Sequence, residues 1–343
     1  LNGGIDYYQG RLSSHFNLEG DFRSAVNDDP DDFSSKSYGN GDVDGPDPKK
    51  EDATHGTHVA GIIAAERNNG KGANGVANNV QIMSIRAVPN GDEYDKDIAL
   101  GIRYAVDNGA KIINGSFGKS FSPNAEWVYE AIKYAASKNV LFVHAAGNDG
   151  ANLDDPANPN FPNDQVNNGP EIADNVITVG ALDPKYGSTL VADYSNYGKI
   201  NVDIFAPGES MYTCNADGRY EYNGGTSMAS PLVAGIAGLV KSQFPNYTWE
   251  QVAEQMRNAG DDIYALNNTR YADKLGFGRM NAFKAVSNST KPGIKFINKK
   301  LSDNNDDVFA LGDIALMETK DYPRGHPMVA QPAIQQGKHL AKN

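Results

Sequence analysis

Cysteine is nearly absent from this 343-residue sequence, where Cys214 stands alone. A single thiol excludes an internal disulfide and any metal site built from several cysteines. Basic residues are in deficit, 31 Lys and Arg against 43 Asp and Glu, for a formal net charge of −12. That balance disfavours nucleic acid and anionic membrane as partners, because both reward clustered Lys and Arg. No apolar run approaches the roughly 20 residues that span a membrane, and no signal peptide opens the chain. Histidine is also scarce: His15, His144, His326 and His339 form no ligand-spaced cluster. No Gly-rich phosphate turn follows the first strand, which excludes a dinucleotide-binding reading. What is left is a chain long enough to bury one large α/β core with appendages.

Residues 1–40 are polar and broken, with an amphipathic helix expected over Gly4–Phe16 and an acidic turn at Asp28–Asp32. No apolar strand of four to eight residues precedes His55. Beyond it the pattern turns regular. Strands are expected at Val80–Ile85, Lys111–Asn114, Val140–Val143, Asn175–Gly180 and Asn201–Phe205. Helices are expected at Asp97–Asn108, Ala125–Ser137 and from Thr248 through Asn258, the last with Gln251 placed for a capping box. Strands alternating with helices predict a parallel sheet covered on both faces. Residues 288–343 show no sustained periodicity and read as a tail.

One stretch dominates, Tyr222-Asn223-Gly224-Gly225-Thr226-Ser227-Met228-Ala229-Ser230-Pro231, a glycine turn feeding a helix apolar on most faces. Pro231 is expected near the helix's first turn, where a missing N–H costs least. Ser227 then lies at the donor-rich helix start, which favours an oxygen developing negative charge. By itself the pattern also fits an N-cap serine on a core helix. A second turn, Asp52-Ala53-Thr54-His55-Gly56-Thr57-His58-Val59-Ala60-Gly61, feeds another helix of small residues. Together the two stretches resemble the serine and histidine motifs of the subtilisin-like serine peptidases, over roughly Gly41 to Ala285.

The resemblance implies an α/β, subtilisin-like three-layer fold with a mostly parallel central sheet. It implies a serine endopeptidase with Ser227 as nucleophile and His55 as base, while His58 is a structural residue. Val143-His144-Ala145-Ala146-Gly147-Asn148 resembles the family segment whose asparagine donates to the oxyanion, so Asn148 takes that role. Ser116, Phe117 and Gly118 resemble the edge that pairs with an extended peptide, opposite a wall of Ala145, Ala146 and Gly147. Lys119, where the family often has a second glycine, is expected to alter the pocket rim, and Asn160-Phe161-Pro162 to sit at its base. The family's aspartate ends a buried strand well upstream of the histidine, and Asn2-Gly3-Gly4-Ile5-Asp6 is only a chance echo of it. The chain is therefore expected to lack its first strand or strands and to be nearly inactive as it stands. The division follows as 1–40 polar insertion, 41–287 peptidase domain and 288–343 tail. Asp42, Asp44, Asp47 or Asp52 orienting His55 is a weaker alternative, and a peptide-binding pseudoenzyme another.

Asn40-Gly41-Asp42-Val43-Asp44-Gly45 with Glu51 fits an EF-hand spacing, but Pro46 and Pro48 stiffen it, so it reads as a solvated turn. No metal ligands are assigned and no cofactor is expected. A structural calcium ion remains open by family resemblance, against a short glycine-rich Glu66–Val76. Protein or peptide substrates, a monomer and an exported address, made as a precursor, complete what the resemblance implies.

Overall fold

The structure is a computed structural model that describes residue 23, residues 26–44, 53–88 and 92–287, and the short strands 296–297 and 300–301. The expected helix over Gly4–Phe16 lies outside the described residues. Contacts divide the chain into a unit through Thr290 and a second from Lys291 to Asn343. In the second unit, Phe296–Ile297 pairs antiparallel with Lys300–Leu301.

The first unit is built on four parallel strands in sequential order: β1 (Ile112–Gly115), β2 (Leu141–Ala145), β3 (Val176–Leu182) and β4 (Ile204–Pro207). The helices are α1 (Thr54–Ala64), α2 (Asp95–Asp107), α3 (Ala125–Ser137), α4 (Thr226–Gln243), α5 (Trp249–Asn258) and α6 (Ala282–Ser287). A hairpin of β5 (Met211–Cys214) and β6 (Tyr220–Asn223) leads into α4.

Side-chain alternation along the strands sorts the sheet's two faces. Leu141, Val143, Ile177, Val179, Ile204 and Ala206 pack with Val233, Ile236, Ala237 and Val240 of α4 and Val252 and Met256 of α5. Phe142 and Val176 turn the other way, against Ile98 and Ile102 of α2 and Val128 and Ile132 of α3. Three layers result, as the motifs imply. Both faces of the central strands are covered, which is why β2 and β3 are buried at every position.

The expected strand at Val80–Ile85 does not form. Residues 80–88 carry no ladder, and Val80, Ile82, Met83, Ile85 and Val88 are all exposed. The physical reason is the absence of a partner. Among the described residues β1 is the last strand of the sheet, and nothing pairs with its outer edge. An apolar alternating run becomes a strand only when a neighbour accepts its hydrogen bonds.

The acidic turn expected at Asp28–Asp32 is packed rather than free. Asp28 is buried and ion-pairs with Lys96 and Arg23, and Arg23 reaches Asp97 as well, at 2.6 Å. Phe33 stacks on Trp127 at 4.8 Å. The segment is thus strapped onto the first turn of α2 and the side of α3. Residues 40–44 form side-chain-capped turns, with Asp42 N–H donating to Asn40 Oδ1 and Asp44 N–H to Asp42 Oδ1. No helix of the described residues is long and apolar enough to cross a membrane.

Candidate active site

Ser227 is the second residue of α4, half-buried, just past Gly225, whose φ of +139° only glycine adopts without strain. Pro231 lies in the second turn of the helix, later than the sequence reading placed it. Its missing N–H leaves the Ser227 carbonyl without the usual i→i−4 donor. Ser116 takes that place: its Oγ donates to Ser227 O at 2.9 Å. Ser116 Oγ in turn accepts from Asn114 Nδ2, and Asn114 Oδ1 accepts from Ser230 Oγ. A short polar chain therefore ties the end of β1 to the first two turns of α4.

Asn148 is exposed at the end of the turn that follows β2. Its Oδ1 accepts from Thr226 N–H at 2.9 Å and from Thr226 Oγ1 at 3.0 Å, while Thr226 Oγ1 accepts from Gly147 N–H. With the oxygen spoken for, the Nδ2 donor is the end of the amide left over. The turn itself is held by buried Asn196, whose Nδ2 donates to Ala146 O and whose Oδ1 accepts from the Asp149 and Ala151 N–H groups. Neither Thr226 nor Asn196 is marked by the sequence reading. The threonine lies inside the serine motif, which is the one signal that pointed to it.

Ser116-Phe117-Gly118 leaves the C-terminal end of β1, and Ala145-Ala146-Gly147 leaves that of β2. A Cβ built on Gly118 would stand 3.5 Å from Asn160 Oδ1, and one on Gly147 3.3 Å from the same atom. Asn160 thus lies close to both segments. Lys119 buries its ammonium on Asp95 at 2.7 Å and on Glu93 O, and its backbone pairs with Phe161. The expected change to the rim is therefore a buried ion pair rather than a free charge.

His55 opens α1, which packs against α4. Its side chain is exposed, yet desolvation by the surrounding chain and then the charge of nearby His58 hold its pKa below the ordinary 6.5. Among the described residues no carboxylate acts on it; Asp47 and Asp52 lie outside them. His58 points into the protein, buried, with Nδ1 2.8 Å from Asn223 Nδ2 and its carbonyl accepting from Thr213 Oγ1. Glu221 Oε1 lies 2.8 Å from Nε2 but out of line for a hydrogen bond. Through Asn223, His58 links the histidine helix to the strand that runs into Ser227. Among the described residues no cluster of three His, Cys, Asp or Glu is arranged to hold a metal ion.

The chain matches the subtilase family model over residues 3–278. The chain belongs to the subtilase family. It is 38% identical over 235 residues to a thermophilic serine proteinase of Bacillus sp. strain AK1, covering 68% of this chain and 52% of that protein. It is 35% identical over 264 residues to thermitase of Thermoactinomyces vulgaris, covering 74% and 83% of the two chains. A cell wall-associated protease of Bacillus subtilis is 37% identical, but only 27% of its length is matched. The chain thus spans about half of the AK1 proteinase and about a quarter of the cell wall-associated protease. Among solved structures, a protease of Pseudoalteromonas arctica is 32% identical with a TM-score of 0.55, over 68% of this chain and 70% of that one. Fervidolysin of Fervidobacterium pennivorans, described as keratinolytic and related to subtilisin, is 28% identical with a TM-score of 0.56, over 70% and 37%. The fold of this subtilase is therefore subtilisin-like.

Proposed function

We propose that the chain carries the catalytic groups of a serine endopeptidase that works through an acyl-enzyme. Ser227 Oγ attacks the scissile carbonyl, His55 takes its proton and later returns it to the leaving amine, and Asn148 Nδ2 with the Ser227 backbone N–H receives the oxyanion. Ser116, Phe117 and Gly118 on one side and Ala145, Ala146 and Gly147 on the other bind the peptide. The observation that carries this reading is the Thr226–Asn148 pair. It fixes the asparagine's oxygen and leaves its donor free within one residue of the helix start that bears Ser227.

The group that orients His55 is not among the described residues. In subtilisin itself, loss of the triad aspartate costs on the order of ten-thousand-fold in turnover, so the chemistry is slow unless an acid outside the described residues serves His55. A chain in which no acid serves His55 gives a second reading, a peptide-binding protein without catalysis.

A fluorophosphonate probe separates the two. Slow labelling, abolished by Ser227→Ala, reduced by His55→Ala and accelerated by added formate acting as the missing carboxylate, supports the protease reading. No labelling under any of these conditions supports the binding protein. Fast labelling without formate means that an acid on this chain, such as Asp47 or Asp52, already serves His55.

A further inference from the structure

His144 takes no part in the chemistry just described, yet it is a buried imidazole one residue from the pocket wall. It lies in the middle of the sheet, with Gly115 of β1 opposite it on one side and Thr178 of β3 on the other. Its ring stacks on Phe142, is tilted against Phe117, and is 1% exposed. Its Nε2 lies 2.8 Å from Phe117 O. A carbonyl can only accept, so the proton of this bond is on Nε2. Burial pushes the imidazole's pKa down to about 4, which keeps the ring neutral and the tautomer fixed at neutral pH.

Successive carbonyls of an extended segment point to opposite sides. With Phe117 C=O turned inward to His144, the C=O of Ser116 and the N–H and C=O of Gly118 fall on the opposite side. Among the described residues none of these three groups makes a backbone hydrogen bond. They form the free edge that a peptide can join as an added strand. The side chain that fixes this alternation belongs to β2, which ends at Ala145 and continues into Ala146.

We propose that His144 is a positioning residue for the substrate-binding edge: its Nε2–H holds the inward carbonyl of Phe117 and so aims the backbone of Ser116 and Gly118 at an extended peptide. This rests on the protease reading for the identity of the cleft. Without the donor, Phe117 O becomes an unsatisfied acceptor against a buried side chain, and the segment relieves it by rotating. Rotation misdirects the outward groups and weakens ligands that use them. Ligands seated in the pocket alone are spared.

The test is binding to the Ser227→Ala form of this chain, which does not depend on turnover. Two probes are compared by calorimetry: acetyl-Ala-Ala-Ala-Phe amide, long enough to lie along the edge, and acetyl-Phe amide, which is not. His144→Leu should weaken the tetrapeptide about tenfold, the loss of one hydrogen bond's worth of affinity, and leave the single residue unchanged. His144→Gln, which keeps a donor, should recover most of the loss. Nitrogen NMR of the native chain should show the Nε2–H tautomer. Equal weakening of both probes by His144→Leu, no weakening of either, or an Nδ1–H tautomer would overturn the assignment. So would failure of the tetrapeptide to bind the chain that retains His144. If the selective loss is seen while Ser227 never labels with fluorophosphonate, the positioning role stands and the protease reading falls.

Discussion

Replacing Ser116 by alanine tests whether Pro231 and Ser116 form a single device. The proline withholds an N–H from the Ser227 carbonyl, and Ser116 Oγ supplies the donor instead. Ser116→Ala orphans two groups, Ser227 O and the Asn114 Nδ2 that donates to Ser116 Oγ. A buried group left unsatisfied costs about 1–3 kcal/mol. Ser116 is half-buried, so the lower end applies and the sum is about 2 kcal/mol. Pro231→Ala restores a main-chain donor to Ser227 O, while freeing the unfolded chain costs about 0.4–1 kcal/mol. In the Pro231→Ala background only Asn114 is orphaned by Ser116→Ala, so the cost falls to about 1 kcal/mol. The coupling of the two positions is the difference, about 1 kcal/mol, read from urea unfolding of the four proteins in a double-mutant cycle. If Ser116→Ala costs the same in both backgrounds, the proline is not what makes the serine necessary, and the reasoning fails.

Thr226→Val removes the hydroxyl that aligns Asn148 while keeping the shape, and should slow fluorophosphonate labelling of Ser227 about tenfold, part of what a lost oxyanion donor costs. An unchanged rate would show that Asn148 needs no such support. Because the folded-state pKa of His144 is about 4 against an ordinary 6.5, the native chain binds fewer protons than the unfolded one between these values. Its stability therefore falls as pH drops through that window. Relative to His144→Gln, unfolding measured at pH 7 and pH 4 should show a loss of about 3 kcal/mol; parallel profiles would contradict the burial argument. Asp164 has the opposite sign. Burial first, then the carboxylates of Asp203 and Glu171, push its pKa up to about 7 despite Arg257. The fold thus keeps a proton that the unfolded chain gives up, and stability falls as pH rises from about 4 to about 7. Asp164→Asn should melt higher than the native chain at pH 8 and lose that advantage at pH 4. An advantage independent of pH would point to packing instead.

What the sequence disclosed is what depends on near neighbours. The Thr248–Gln251 capping box is a local rule, and both of its hydrogen bonds form. Ala125–Ser137 was readable from its apolar period to the residue. The serine and histidine turns were legible as motifs because glycine and helix-start chemistry are confined to a few positions. What failed is what depends on a distant partner. Val80–Ile85 has the pattern of a strand but, among the described residues, no neighbour pairs with it. The fourth strand starts at Ile204, later than the apolar run, because Asn201 is drawn aside by Asp154 instead. Thr226 reaches an asparagine 78 residues earlier, and His144 a carbonyl 27 residues earlier. No spacing rule connects such pairs.

Among the described residues, the sheet is open at the edge that leads to the site. Ser116, the pocket wall and Asn148 all follow the C-terminal ends of parallel strands, the rim where α/β sites form. A parallel neighbour added outside β1 would end at that same rim, beside Ser116 and the start of α4. An acid at the end of such a strand would lie on the rim that carries Ser116 and the start of α4. The state of that edge can be read amide by amide. In a parallel ladder a residue's N–H and C=O face the same neighbour. Leu141 N–H donates to Lys111 O, and Ile112 is opposite Leu141, so Ile113 and Gly115 face β2, while Ile112 and Asn114 face outward. Hydrogen exchange on this chain should therefore find Ile113 and Gly115 protected and Ile112 and Asn114 fast. If all four exchange slowly, the edge is already paired, and the strand that could carry the acid is in place.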